Sequence, residues 1–412
     1  MPVDRIESIE SFAIRLARDW EAVRGTAGSP TELVSGEFDY RWSETNRSLY
    51  SVHFEAALVK VSLSSGLVGW GEPQAPLAPE VACSIVDRLL RPAIEGCRFD
   101  GSPRTVRALR DRMYASMRVR GQTGGFMLDA IAGVDIALWD LAGRMAGKPV
   151  GALLSTSAPK ARIPCYLSGL AGSSWQESLE RARQAWNAGF RTFKLFHSRT
   201  EAELFELAQR LRGELGPDAG IAVDALWRLD PETAHEFGNK LDALGCLWLE
   251  CPLQPELSKE HAALARRIKT PIALGESYRS RFEMAPFLTS GCVGWLQPDL
   301  GRWGITEAAE LVREAGDRYQ VVPHISIAMG PQIAAALHLA AAFDGVKLAE
   351  YNPTVFAVSN QFLAKPMHLD GRSYRVPDGP GLGIDVDEAA VRAVTAGAHL
   401  AQAGIGQPDA AR

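Results

Sequence analysis

The sequence lacks any apolar run that approaches the ~20 residues an α-helix needs to cross a bilayer. Its first residues, MPVDRIESIESF, are charged and contain no apolar core typical of a signal peptide. It has no excess of positive charge either, because the formal net charge is −5. We therefore expect a cytoplasmic protein with no membrane partner and no nucleic-acid partner.

Several chemical motifs are missing as well. The six cysteines are scattered, with no C-x-x-C pair, so structural disulfides and a zinc-thiolate site are not expected. There is no G-x-G-x-x-G motif and no Walker A loop, which argues against a dehydrogenase or another nucleotide-binding enzyme. The absence of a G-x-S-x-G motif leaves a serine hydrolase poorly supported.

The first 160 residues predict a mixed α+β region. The segments SFAIRLA and FEAALVKVSLSSGLVGWGE have the pattern of strands, the second folded over a turn at residues 64–66. The polar segment 21–50 between them is long for a compact domain, which is typical of a functional flap or of a solvated loop. Residues 83–118 and 127–146 are predicted to be helices. The flap supplies four candidates for closing over a polyol substrate: Tyr40, Arg41, Trp42 and Arg47.

From about residue 161, short apolar strands alternate with helices. Some helix starts are visible in the sequence, since Ser174 and Glu177 have the spacing of a capping box and Asp230 precedes Pro231. Eight strands with intervening helices predict a parallel (β/α) barrel of the TIM type, with a doubly wound sheet as the alternative. The strand candidates are residues 163–169, 192–196, 221–225, 247–250, 271–276, 293–299, 320–324 and 347–351.

Polar residues end these strands at a regular spacing. Asp224, Glu250 and Glu276 are 26 residues apart, and Asp299, His324 and Glu350 follow after 23, 25 and 26 residues. Each interval is about one strand, one loop and one helix. The six residues therefore occupy the C-terminal ends of successive strands, which is the face where barrel enzymes carry their active sites.

Three of these residues, Asp224, Glu250 and Glu276, are carboxylates on consecutive strands. Left unpaired and buried they would repel one another at a cost of roughly several kcal/mol each. A divalent cation resolves the repulsion, and oxygen ligands without cysteine or histidine favour Mg²⁺. For any one of them alone, a helix cap or a surface ion pair is the alternative interpretation.

Asp299 and His324 lie at the ends of the next two strands. An aspartate behind a histidine fixes the tautomer of the ring and raises its basicity, which makes a general base that works near neutral pH. A histidine at a strand end is otherwise most often a structural residue, and the aspartate one repeat earlier favours the functional interpretation.

An ordered set of motifs covers nearly the whole chain. GWGE and AIAGVDIALWDLAGR precede VDALW, WLECPLQP, PIALGES, QPDLGRWGIT, VPHIS, AEYNP and PGLGI. In this order and spacing the chain resembles the mandelate racemase branch of the enolase superfamily. The resemblance implies an α+β capping domain (residues 1–160), a modified (β/α)₇β barrel (161–354) and a C-terminal segment that returns to the cap (355–412). It also implies a symmetric homo-oligomer.

The same resemblance implies the chemistry. Enzymes of this family remove the proton α to a carboxylate, and Mg²⁺ stabilises the enediolate that results. By resemblance Asp224, Glu250 and Glu276 are the metal ligands, and Asp299 with His324 is the base dyad. Glu350 is then a hydrogen-bond donor or electrophile at the carboxylate of a small-molecule substrate.

The strand segment FKLFHS departs from the family pattern. The family commonly has Lys-x-Lys here, with the second lysine as a base, whereas this chain has Lys194 followed by Phe196. Racemisation needs a base on each face of the enediolate. Because His324 is the only clear base in this sequence, the pattern favours dehydration. Leu226, two residues after Asp224, provides no second acid, so a syn elimination through His324 is the simplest mechanism. His197 is expected to be structural.

The sequence therefore predicts a Mg²⁺-dependent dehydratase that converts an aldonate or aldarate to a 2-keto-3-deoxy acid. In this scheme Lys194 binds the carboxylate or a hydroxyl of the substrate, and a lysine that merely reaches the barrel rim is the alternative. A racemase or epimerase that uses Lys194 and His324 is the alternative reaction. A barrel retained as a non-catalytic binding protein is less well supported.

Overall fold

The computed structural model describes residues 4–17, 39–170, 174–196 and 200–395. His197 lies outside these residues. Within them, no helix combines the length and the apolar character that spanning a membrane requires. All six cysteines fall within the described part of the chain and are free thiols there.

The N-terminal cap is built on an antiparallel sheet and a separate hairpin. Its strands are β1 (Asp4–Ala17), β2 (Tyr40–Ser43), β3 (Ser48–Ser51), β4 (His53–Leu63), β5 (Val68–Gly71) and β6 (Arg98–Phe99). The sheet has the order β5-β4-β1-β6, and among the strands of the described residues β2 pairs only with β3. The predicted turn at residues 64–66 joins β4 to β5, where Gly66 adopts the positive φ of 85° that such a turn requires.

The cap helices pack on one face of this sheet. A continuous helix over residues 83–118 is a wrong prediction, because Gly96 and Gly101 adopt positive φ values and β6 lies between the helical segments. The helix of residues 125–146 is buried almost throughout and lies against β4, β5 and a barrel helix. The helical segments are Pro79–Ile85, Val86–Leu90 (a π-helical turn), Arg91–Ile94, Pro103–Arg118, Gly125–Ala146 and Val150–Leu154.

The central domain is the predicted (β/α)₇β barrel. Its eight strands are β7 (Arg162–Ser168), β8 (Thr192–Leu195), β9 (Gly220–Asp224), β10 (Trp248–Glu250), β11 (Ile272–Leu274), β12 (Trp295–Leu296), β13 (Gln320–Val321) and β14 (Ala349–Tyr351). Neighbouring strands pair in parallel, and β14 closes the barrel on β7. The intervening helices are Trp175–Asn187, Glu201–Leu215, Pro231–Leu244, Ser258–Ala265, Arg281–Ser290, Leu300–Ala315 and Pro331–Ala342.

The predicted helix starts are present in the structure. The Ser174 hydroxyl accepts a hydrogen bond from the backbone of Glu177, and the Asp230 carboxylate caps the helix that begins at Pro231. These caps satisfy N–H groups that have no partner inside the helix. They fix where each helix begins and so how long each strand-to-helix loop is at the C-terminal face of the barrel.

The C-terminal segment runs from the barrel back to the cap. Its elements are the helix Pro353–Asn360, β15 (Leu369–Asp370), β16 (Ser373–Arg375) and the helix Glu388–Ala393. β16 pairs antiparallel with β7, and further on the Leu382 backbone donates to Asp140 of the cap (2.8 Å). Lys60 of β4 forms an ion pair with Glu388 (2.9 Å), and Thr395 bridges to β1. The end of the described chain therefore completes the cap.

Candidate active site

The barrel brings seven predicted site residues together at the C-terminal ends of its strands. Each is buried or nearly buried, with at most 15% of the side chain exposed. The regular spacing of the strands causes this convergence, because each residue ends, or closely follows, its own strand. In order from β8 to β14 they are Lys194, Asp224, Glu250, Glu276, Asp299, His324 and Glu350.

Lys194 lies at the centre of the carboxylate cluster. Its Nζ is 2.7 Å from Oε1 of Glu250 and 3.0 Å from Oε1 of Glu350, with Asp224 at 4.0 Å. Burial opposes the charge on the ammonium group, yet Glu250 and Glu350 hold the pKa of Lys194 well above its ordinary value. The ring of Phe196 faces the same ammonium group at 5.4 Å, so the two side chains share one face of the strand.

Glu250 is fixed by donors on both of its oxygens. Oε2 accepts from the indole N–H of Trp248 (2.8 Å) and from the side-chain amide of Gln297 (2.7 Å). Oε1 is left to Lys194. Because Trp248 precedes Glu250 by two residues on one strand, both side chains point to the same side of the sheet.

Glu276 is held in a similar way. Its Oε1 accepts from the indole N–H of Trp227 (2.8 Å), and its Oε2 lies 3.1 Å from Nε2 of His324. Although burial favours the neutral acid, His324, Lys194 and the Trp227 donor hold the pKa of Glu276 below its ordinary value. The carboxylate is therefore ionised in a site that is largely closed to water.

Asp299 and His324, the two residues predicted to form a base dyad, are hydrogen-bonded to each other in the structure. Nδ1 of His324 is 2.8 Å from Oδ2 of Asp299, and Nε2 points into the barrel mouth toward Glu276. Although burial opposes the charge, Glu276, Glu350 and Asp299 raise the pKa of His324 to about 9. The other aspartate oxygen accepts from the Gln332 side chain (2.8 Å), so Gln332, Asp299 and His324 form a continuous hydrogen-bonded chain.

Glu350 is an ionised carboxylate in this arrangement. Its Oε2 accepts from the backbone of Ile325 (2.8 Å), and its Oε1 pairs with Lys194. Against the effect of burial, Lys194 and His324 lower the pKa of Glu350 to about 2. In this structure Glu350 therefore pairs with Lys194 as a carboxylate, and its role at the substrate carboxylate stays a prediction.

The donor set fits a hard divalent cation. Asp224 is buried and faces Glu250, and these two effects raise the pKa of Asp224 well above its ordinary value. Glu250, Glu276 and His324 offer ligand atoms within 4.8 Å of one another. Asp224 lies beside that group, with its Oδ1 bound to the backbone of Leu226 (2.8 Å). The buried negative charge exceeds what Lys194 and His324 supply, which a bound cation would balance.

The four flap candidates occupy different places on the hairpin β2–β3. The Tyr40 hydroxyl lies inside the cap, where it bonds with Arg15, Glu55 and the backbone of Ala78. Trp42 is 52% exposed, and it pairs with Leu49 on the same hairpin face as Tyr40. Arg41 pairs with Tyr50 on the opposite face. Arg47 is exposed at the turn, with a positive φ of 47°.

Tyr50 is a hairpin residue that the sequence analysis missed. Its hydroxyl accepts from the Asn46 side chain (2.9 Å). Burial raises the pKa of Tyr50, and the charges of Asp224 and Glu276 raise it further. The hairpin thus places Tyr50, rather than Tyr40, near the carboxylate cluster.

Four residues around the cluster were also missed: Trp227, Trp248, Gln297 and Gln332. Two of them had a usable signal. Trp248 lies two residues before Glu250, and Gln297 lies two residues before Asp299 in QPD. Side chains two residues apart on a strand point to the same side of the sheet. Gln332 lies on the next helix and had no local signal.

Comparisons with known proteins agree with this architecture. Residues 177–390 match the family model described as enolase C-terminal domain-like, and residues 45–155 match the mandelate racemase / muconate lactonizing enzyme N-terminal domain. The chain is 29% identical to D-galactarolactone cycloisomerase of Agrobacterium fabrum over 81% of its length and 89% of that protein. It is also 29% identical to arabinonate dehydratase of Saccharolobus solfataricus, over 90% of this chain and 92% of that one.

A solved structure gives the same result. A putative isomerase from Sinorhizobium meliloti superposes with a TM-score of 0.85 at 32% identity, covering 94% of this chain and 98% of the other. The similarity includes both the cap and the barrel.

Proposed function

Because the chain belongs to the mandelate racemase / muconate lactonizing enzyme family of the enolase superfamily, we propose that it is a Mg²⁺-dependent dehydratase of a sugar acid. The substrate is an aldonate or aldarate, and the product is a 2-keto-3-deoxy acid. One observation carries the proposal: the Asp299–His324 dyad directs a histidine nitrogen toward the buried carboxylates, while the position of a second base is occupied by Phe196.

The metal would be held by Asp224, Glu250 and Glu276, the three carboxylates whose mutual repulsion it relieves. When bound, Mg²⁺ supplies electrophilic stabilisation of the negative charge that develops on the substrate carboxylate. Lys194, fixed between Glu250 and Glu350, adds a positive charge on the same side.

His324 performs both proton transfers starting from its neutral form, which a cation held by Glu276 would favour because it would offset the charge that raises the pKa of His324. The α C–H bond breaks, its proton moves to Nε2, and the electron pair forms the enediolate. The Cβ–O bond then breaks, and the proton from Nε2 goes to the departing hydroxyl, which leaves as water. The enol that remains tautomerises to the keto acid. Asp299 holds the ring through Nδ1 during both steps.

Racemisation is less well supported by this geometry. Lys194 would have to lose a proton to act as the second base, yet two carboxylates lie within 3.0 Å of its ammonium group. The ion pairs and the high pKa favour a lysine that stays charged.

A cycloisomerisation is the second candidate, favoured by the similarity to D-galactarolactone cycloisomerase. The same proton abstraction by His324 serves a lactone substrate if the oxygen that leaves the β-carbon belongs to the ring. The ring then opens without loss of water, so the product is an isomer of the substrate.

The test is a screen of aldonic acids, aldaric acids and their lactones with Mg²⁺ in D₂O, followed by NMR. We expect a keto acid from one of them and a loss of roughly 10²–10⁴-fold in rate for His324→Asn. The exposed His368 provides a matched control, since His368→Asn should leave the rate unchanged. Deuterium exchange into both epimers without keto acid would contradict the proposal and indicate that Lys194 is a working base.

A further inference from the structure

The backbone within three residues after two of the candidate metal ligands is left-handed. Leu226 and Trp227, two and three residues after Asp224, have φ values of 52° and 60°, and Cys251, directly after Glu250, has a φ of 45°. Residues with a Cβ rarely adopt this region, and each costs on the order of 1 kcal/mol or more. None of the three is glycine or asparagine, so the conformation depends on contacts elsewhere.

Backbone hydrogen bonds fasten this turn to the end of the next strand. The N–H of Trp227 donates to the carbonyl of Cys251 (2.7 Å), and the N–H of Ala225 donates to the carbonyl of Glu250 (2.9 Å). The two left-handed segments thus hold each other. The conformation of the turn that carries Trp227 is therefore tied to the strand that carries Glu250.

The turn carries the Trp227 side chain across β10 to Glu276. The indole N–H donates to Oε1 of Glu276 (2.8 Å). The ring packs edge-on against Tyr278 and His261, with centroids 6.1 and 6.3 Å away. The donor is therefore held by aromatic packing and by backbone bonds together.

We propose that Trp227 is a positioning residue of the metal site, acting through Glu276. Its N–H fixes the outer oxygen of the carboxylate, so the other oxygen faces the barrel mouth, where Nε2 of His324 lies 3.1 Å away. Trp248 fixes Glu250 in the same manner. This inference rests on the metal site of the proposed function but not on its reaction.

An indole suits this role for a chemical reason. It has one N–H and no lone pair for a metal, so it orients a carboxylate without competing as a ligand. It also carries no charge, so the ligand keeps its full negative charge, whereas an arginine or lysine there would neutralise it. Partners that orient metal ligands are typically worth about 10–100-fold in metal affinity.

The experiment is calorimetric titration of the full chain with MgCl₂, without substrate. Trp227→Phe keeps the aromatic packing and removes the N–H, and we expect its Kd for Mg²⁺ to rise by about 10-fold. Trp139→Phe is the matched control. It loses a comparable indole hydrogen bond, to Thr306 (2.9 Å), at the cap–barrel boundary, and its Kd should stay within about twofold of wild type.

A second variant separates the hydrogen bond from packing. Trp227→Leu removes both the hydrogen bond and the ring, and its loss of affinity should be close to that of Trp227→Phe. Circular dichroism establishes that each variant is folded. Equal Kd values for wild type and Trp227→Phe would overturn the inference, and so would a loss in Trp227→Leu that is much larger than the loss in Trp227→Phe. Absence of Mg²⁺ binding by the wild type would overturn the proposed metal site itself.

Discussion

His338 should make the stability of the protein depend on pH below neutrality. It lies fully buried on the helix Pro331–Ala342, between the cap and the C-terminal segment. Its Nδ1 accepts from the backbone N–H of Gly151 (3.2 Å), and its Nε2 donates to the carbonyl of Leu382 (2.9 Å). Both ring nitrogens are therefore hydrogen-bonded when the ring is neutral. A second proton, on Nδ1, would face the N–H of Gly151 and break that hydrogen bond.

The magnitude follows from the shift in pKa. Burial lowers the pKa of His338 from 6.5 to about 4, although the Leu382 carbonyl opposes the shift. Above pH 6.5 the ring is neutral in both the folded and the unfolded chain, so it has no effect on stability. Below pH 6.5 the unfolded chain takes up a proton that the folded chain does not. The free energy of unfolding should therefore fall by about 2 kcal/mol at pH 5 and about 3 kcal/mol at pH 4.

The assay compares wild type with His338→Gln by urea unfolding between pH 7.5 and pH 4.5. Other groups titrate in this range, so the informative quantity is the difference between the two proteins at each pH. At pH 7.5 the variant is expected to have a lower free energy of unfolding than wild type. By pH 5 the two free energies of unfolding should be similar, because wild type loses stability and the variant does not lose it at this position. His368→Gln, at an exposed position, should follow wild type throughout. A wild-type-minus-variant difference that stays constant with pH would refute the reasoning.

Three further predictions concern the cap, the metal and the dyad. Gly71→Ala should destabilise the protein by several kcal/mol, because the added Cβ would lie 1.9 Å from the carbonyl oxygen of Gly133. Gly213→Ala is the control, because its added Cβ would have no atom within 4 Å. This variant should be neutral or should stabilise the protein by about 0.5–1 kcal/mol. Mg²⁺ at about 100 times its Kd should raise the unfolding free energy of metal-free protein by about 2.7 kcal/mol, measured by urea unfolding, and no change would contradict the metal site. Gln332→Leu removes a donor to Asp299 and should lower kcat by roughly 10-fold with little change in KM; an unchanged kcat would show that this donor is dispensable.

The barrel and the cluster within it were predictable from the sequence because one rule generates both. Parallel strands joined by helices repeat at an interval of about 26 residues, so charged residues at that interval must converge at one end of the barrel. Lys194 was predicted differently, from the resemblance to the family, which commonly has Lys-x-Lys on the second barrel strand. All eight strand candidates correspond to barrel strands of the structure.

The contacts that orient these residues were not predictable. The bond from Trp227 to Glu276 depends on two consecutive left-handed residues, for which the sequence has none of the usual glycine or asparagine signals. The bond from Gln332 to Asp299 depends on how the next helix packs on the barrel. Both arise from tertiary structure and leave no local pattern.

The flap shows a different limit. Sequence reasoning selected its residues by chemical type, but the structure sorts them by the face of a short hairpin. Arg41 and Tyr50 share one face, whereas Tyr40 and Trp42 point the other way. The prediction of a helix over residues 83–118 was wrong for a local reason, because two glycines with positive φ interrupt the helical segments.

The return of the C-terminal segment has a consequence for biosynthesis. Strand β1 is translated before the barrel, yet it bridges to Thr395, and Lys60 of the neighbouring strand β4 pairs with Glu388. The cap can therefore be completed only after the whole barrel has been translated. A nascent chain stalled before residue 380 would carry a closed barrel beneath an unfinished cap, and proteases or chaperones would meet that form first.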